Sequence, residues 1–211
     1  MNMEYNEKQL AIISTTEKLF SVNGFDGTSV RDIANEAAVN VAMISYYFGS
    51  KEKLMEAVFE QKSNSIRIKV ENLLQNKDIN HLEKINVLID DYVDKFISQQ
   101  EFHKIMLREQ LIEKGTPLAG LIHDLKKRNL ESVMKIIQEG QKSGEFKKGI
   151  DVPLMMATLV GTVSQLITSQ YFYRQAHNLE ELTDVEFRKR IKKKLSIHLK
   201  NLFKAILTHE A

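Results

Sequence analysis

The sequence predicts an all-α protein of about nine helices, and three observations carry that prediction. Only 2 prolines and 9 glycines punctuate the 211 residues, too few turn formers for a fold of many short strands. Apolar side chains recur at three- and four-residue spacing along nearly the whole chain. Capping pairs, a Ser, Thr or Asn followed three residues later by an acid or amide, stand before those stripes. The composition, 43% hydrophobic and 27% charged, is that of a globular protein and argues against disorder.

The elements follow in order. Asn6 with Gln9 caps a first helix running to about Asn23, with Ile12, Thr16, Leu19 and Phe20 on one face and Gly24 as its stop. Ser29 and Asp32 form the acidic variant of the same box and open a helix to about Ala37, turned inward through Val30, Ile33, Ala34 and Ala37. After Ala38-Val39-Asn40, Asn40 caps a very short third helix, Val41 to Tyr47, with Ile44 and Phe48 inward. Ser50 caps the next, from Lys51 past Phe59 toward Leu74. Asn80 with Glu83 opens a helix carrying Ile85, Ile89, Val93 and Phe96, and another follows around His103 to Lys114, ended by Gly115. Thr116-Pro117 starts one that runs to about Lys142, where proline sits at a position whose N–H has no helical partner anyway. Asp151 and Pro153 start an apolar helix read as continuous from Val152 to Tyr173. Thr183 with Glu186 caps the last, striped by Ile191, Leu195, Leu199, Leu202, Phe203 and Ile206.

Several classes are disfavoured. The chain has no cysteine, which excludes disulfides, thiolate zinc sites and cysteine nucleophiles and suits a cytoplasmic location. The polar, acidic start MNMEYNEKQL is no signal peptide. The most apolar run, Val152 to Ile167, is interrupted by Thr158, Thr162, Ser164 and Gln165 and falls short of the ~20 residues a bilayer requires, so no membrane contact is expected. The six histidines show no HExxH or ExxH spacing, and neither metal nor cofactor is expected. No phosphate loop or serine-nucleophile context supports an enzyme.

The informative unit is Ser29 to Phe48, SVRDIANEAAVNVAMISYYF, a helix, a short turn and a second helix too short to fold alone. With Ile44 and Phe48 inward, its outer positions are free to enter a DNA major groove about 12 Å wide. Tyr46, Tyr47 and Lys51, with Thr28, Ser29 and Arg31 on the other side, are the expected phosphate and groove contacts. Val41, Ala42, Met43 and Ser45 are left to face base edges, and their apolar character favours thymine methyls and groove shape. Whole-domain charge lends no support. Residues 1–62 hold 6 Lys/Arg and 9 Asp/Glu, a balance of −3, and the remaining 24 and 19 give +5.

Gln9 to Phe59 resembles the DNA-binding domain of the TetR/AcrR family of repressors. The resemblance rests on Leu19-Phe20, on Gly24-Phe25-Asp26-Gly27-Thr28-Ser29-Val30-Arg31-Asp32-Ile33-Ala34, and on Tyr46-Tyr47-Phe48 followed by Ser50-Lys51-Glu52-Lys53-Leu54. It implies a homodimer on a near-palindromic operator. It also implies a helix-turn-helix domain over 1–50 and a helical domain over 51–211 that dimerises and binds an unidentified, largely apolar effector. This chain departs from the family pattern at three positions. Ala38 stands where the turn often has glycine, Val41 where many members have lysine or arginine, and Ser45 where many have tyrosine.

Other readings stand beside these. The unit could be a packing motif in a protein-binding scaffold that has lost DNA affinity, and Tyr47 could be a packing residue. The run Arg188 to Lys194 reads as the solvated face of an amphipathic helix rather than a nucleic-acid patch, because the apolar stripe continues through it. Ala157, Gly161 and Ser164, with Leu195, Leu199, Leu202 and Phe203, form the candidate dimer interface, the alternative being a central core. Phe96, Phe102, Met106, Leu130, Met134, Gln165 and Thr168 are candidates for an effector pocket, which ordinary core packing explains nearly as well.

Overall fold

The computed structural model describes residues 5–111 and 117–209. Among them it holds ten α-helices and no strand. They are α1 (Glu7–Asn23), α2 (Val30–Glu36), α3 (Val41–Phe48), α4 (Lys51–Gln75), α5 (His81–Ser98), α6 (Gln100–Leu111), α7 (Pro117–Lys142), α8 (Val152–Thr168), α9 (Gln170–Ala176) and α10 (Asp184–Leu207). The all-α class holds. The reciprocal capping boxes form at Asn6–Gln9, Ser29–Asp32, Asn80–Glu83 and Thr183–Glu186. The expected stop at Gly115 and cap at Thr116 lie outside the described residues.

The tenth helix comes from a break. The stretch expected to run unbroken from Val152 to Tyr173 bends by 78° between α8 and α9. At the bend, the hydroxyl of Thr168 donates to the carbonyl of Ser164, and that of Ser169 to the carbonyl of Gln165. Hydroxyls that bond back into the preceding turn often bend helices, and here two do so in succession at the bend. Among the described residues, no single helix is long and apolar enough to cross a membrane.

The chain divides into two compact units. One comprises the residues up to Ile68 with Gln100–Lys126, the other Lys69–Gln99 with Lys127 onward. The first extends beyond residue 50, because Leu54, Met55 and Val58 of α4 and Phe102 and Ile105 of α6 complete its core around Ile12, Phe20, Ile33 and Ile44. A Glu17–Lys62 ion pair at 2.8 Å, with side chains 10% and 20% exposed, ties α1 to α4.

His103 on α6 belongs to the same unit. Loss of hydration, reinforced by the charge of Lys62, pushes its pKa down to about 4 from the ordinary 6.5. Between those values the unfolded chain takes up a proton that the folded chain refuses. Stability is therefore expected to fall as pH drops from 6.5 to 4, by about 2 kcal/mol after allowance for partial solvent access. Urea unfolding at pH 7 and pH 5 measures it, and His103→Gln flattens the dependence in that window.

In the second unit α5 lies against α10, and α8 contacts both. Ile89, Val93, Leu195, Leu199 and Phe203 are buried. Lys192–Asp94, Lys200–Asp90 and Ser196–Asp90 contacts lace the rim of the α5–α10 seam. Glu145 accepts the backbone N–H groups of His81 and Leu82 at 3.0 and 2.9 Å and meets the His81 ring at 2.7 Å, anchoring the start of α5. Burial works against its charge, but these bonds outweigh it and hold the carboxyl below the usual range.

Candidate nucleic-acid interface

α3 has one buried residue, Ile44, set among the α1, α2 and α4 core residues. Asn40 caps its start by accepting the N–H of Ala42 at 2.8 Å. Its outer face presents Val41, Ala42 and Ser45, all exposed, and Tyr46, which is 84% exposed. Met43 and Tyr47 are half-buried. The two adjacent tyrosines thus split. Tyr47 packs against the core and stands edge-on to both Tyr46 and Phe48 at 5.3 and 6.3 Å, while Tyr46 projects into solvent.

The turn before α3 carries Ala38 at φ +53°. The N–H of Val39 donates to Ala34 and that of Ala38 to Asn35, at 2.9 and 3.2 Å, so α2 ends in a Schellman motif with alanine at the left-handed position. A Cβ there strains the backbone by about 1 kcal/mol. Ala38→Gly is accordingly expected to stabilise the protein by a few tenths to about 1 kcal/mol, the gain being reduced by glycine's freedom in the unfolded chain. A rise in the urea midpoint with unchanged slope would register it.

Three expected phosphate ligands are placed otherwise. Thr28 is 1% exposed, and its hydroxyl donates to the carbonyl of Gly24 at 2.9 Å, capping the loop instead of facing outward. Ser29 gives both its N–H and its hydroxyl to the Asp32 carboxylate, at 2.8 and 2.6 Å. Those bonds hold the Asp32 carboxyl below its usual range, and they put a negative charge where a phosphate was expected. The ammonium of Lys51 donates to the carbonyls of Phe25 and Thr28 and lies 4.1 Å over the Phe25 ring. Of the other cations here, Lys18, Lys53 and Lys62 pair with Glu36, Glu56 and Glu17. Arg31 is exposed on α2.

The remaining candidates are divided between the two units. Phe102 and Met106 belong to the first unit's core, Phe102 edge-on to Phe59 at 5.0 Å. Phe96 is buried in the second unit, Leu130 and Met134 are half-buried on α7, and Gln165 and Thr168 are exposed on α8. The stripe Leu195, Leu199 and Phe203 is 0–3% exposed within the single chain, so it is subunit core, with Leu202 half-buried beside it. Ala157 and Gly161 are exposed and Ser164 is buried. The outward apolar surface of α8 and α10 consists instead of residues such as Leu154 and Ile197, which the apolar stripe did not single out.

A short helix seated on its platform by one buried side chain, with its other side open, is the arrangement of the reading helix in helix-turn-helix DNA-binding regulators. The chain belongs to the TetR family. Residues 12–58 match the profile "Bacterial regulatory proteins, tetR family", and residues 59–198 match "YsiA-like protein, C-terminal region". It is 25% identical over 177 residues to the Fatty acid metabolism regulator protein of Bacillus subtilis, covering 84% of this chain and 90% of that one. It is 31% identical to the HTH-type transcriptional repressor NicS of Pseudomonas putida, over 70% of this chain and 71% of that protein. Its fold is similar to that of the transcriptional regulator FadR from Bacillus subtilis in complex with stearoyl-CoA. The TM-score is 0.62 at 23% identity, covering 89% of this chain and 97% of that one.

Proposed function

We propose that the chain is a cytoplasmic, homodimeric transcriptional repressor whose two α3 helices read the half-sites of a near-palindromic operator. A largely apolar small molecule, of fatty acyl character, releases it. The observation that carries the reading is the division of α3 between one anchored side chain, Ile44, and an exposed face ending in Tyr46. Arg31, Val41, Ala42, Met43, Ser45 and Tyr46 are the proposed contacts. With few free cations nearby, groove shape and apolar contact carry more of the specificity than phosphate neutralisation does.

The fatty acyl class rests on names carried by what this chain is similar to in Bacillus subtilis, a fatty acid metabolism regulator and FadR in complex with stearoyl-CoA. Release would be a population shift, the effector favouring a dimer in which the α3 spacing no longer matches two half-sites about 34–36 Å apart. For the dimer face, the exposed Leu154, Ala157 and Gly161 of α8 and Ile197 of α10 are favoured, since small residues permit close helix approach.

Fluorescence anisotropy on a duplex selected from the DNA upstream of the gene tests the reading. Tyr46→Ala is expected to weaken binding by about tenfold or more. Stearoyl-CoA is expected to release the wild-type complex. Absence of any duplex binding sinks the repressor reading, whereas binding that stearoyl-CoA leaves untouched removes the acyl assignment alone.

A further inference from the structure

We propose that Lys51 closes the helix-turn-helix on itself and acts as a positioning residue for α3, not as a phosphate ligand. This rests on α3 being the reading helix. The geometry is that of a staple. Lys51 is the first residue of α4, three positions beyond Phe48. Its ammonium donates to the carbonyls of Phe25 at 2.9 Å and Thr28 at 3.2 Å, 26 and 23 residues back. One cation thus joins the two ends of the motif.

The segment it grips is itself held. Phe25 is buried and packs on Phe20 at 5.3 Å, and its ring lies 4.1 Å beneath the ammonium. The N–H of Thr28 donates to Phe25, and the hydroxyl of Thr28 to Gly24. At Gly24 the backbone has φ +80°, and an added Cβ would stand 2.8 Å from the Arg108 guanidinium, which in turn donates to the carbonyl of Val22 at 3.2 Å. Cations from α4 and α6 therefore take up carbonyls of the last turn of α1, at Val22, and of the α1–α2 connection, at Phe25 and Thr28. Charge-assisted bonds to carbonyls are stronger than neutral ones, and a cation over a ring adds to them. To reach a phosphate, Lys51 would have to leave two acceptors and a ring. With it in place, the exit direction of the loop into α2 and the end of α3 are set together.

The test uses the full-length protein and the selected operator duplex. Lys51→Met keeps the chain length and apolar stem but cannot bind the carbonyls. It is expected to weaken binding by about tenfold without changing the slope of log affinity against log salt, since no counterion-releasing contact is lost. Phe25→Leu leaves the charge and removes the ring; it is expected to weaken binding less, again at constant slope. The double variant is expected to be little worse than Lys51→Met, because both act on one clamp. A slope reduced by about two units for a dimer, with additive effects, marks Lys51 as a phosphate ligand and overturns the proposal. So does unchanged affinity in Lys51→Met. If that variant does not fold, Phe25→Leu decides alone, and unaltered affinity there overturns it. Tyr46→Ala keeps the two readings apart. Its loss without one in Lys51→Met removes only the clamp, whereas no loss in either removes the assignment of α3.

Discussion

Replacing Ile44 with alanine is expected to lower the free energy of unfolding by about 3 kcal/mol and to cost more operator affinity than truncating any residue on the outer face of α3. The magnitude follows from burial. Ile44 is 1% exposed among the core residues of α1, α2 and α4, and deleting such a side chain loses its transfer free energy and leaves a cavity. The distribution of the effect follows from length. An eight-residue helix is not stable alone, and α3 has no second fully buried side chain to hold it. Part of the loss therefore appears as local opening of α3 beneath the global transition. Urea unfolding gives the global term. Hydrogen exchange is expected to accelerate over residues 41–48 more than over α1, and anisotropy gives the affinity. An operator affinity within threefold of wild type would mean that α3 does not need its anchor to read DNA.

What could be read in advance divides by the range of the interaction. The capping boxes were legible because each is closed by residues three apart, and the helix-turn-helix was legible because three short elements in succession carry their own start and stop signals. The fates of Thr28 and Lys51 were not, because their partners are carbonyls, which every residue carries, and for Lys51 those partners lie 23 and 26 residues away. Ser29 departs from the expectation for a different reason. Its hydroxyl does cap α2, but the Asp32 that completes the box takes the donors a phosphate would have used. The break at Ser169 depended on hydroxyls turning back to the preceding turn, an alternative to pointing outward that composition does not decide. At Ala38 the sequence shows only that alanine stands where the turn often has glycine, and it is the positive φ that adds the strain.

The stripe on α10 shows the limit most sharply, and a pair of substitutions separates its two readings. Periodicity marks Leu195, Leu199 and Phe203 as buried, but it is silent on whether the surface that buries them belongs to the same subunit or to its partner. Leu199 is 0% exposed in the isolated chain. Leu199→Ala is accordingly expected to cost about 3 kcal/mol of subunit stability, with an unfolding midpoint that shifts equally at low and high protein concentration. Ile197, two positions away and 51% exposed, turns to the other side of the same helix. Ile197→Asp is expected to leave the stability of a subunit nearly unchanged and to move the dimer–monomer equilibrium toward monomer, because it puts a charge into the proposed contact with a second copy. Sedimentation velocity across a concentration series, beside urea unfolding of both variants, reads the two effects separately. Were Leu199→Ala to dissociate the dimer while sparing the subunit, the stripe would be a seam between copies after all. Were Ile197→Asp to leave association intact, the exposed face of α8 and α10 would lose its claim to the interface.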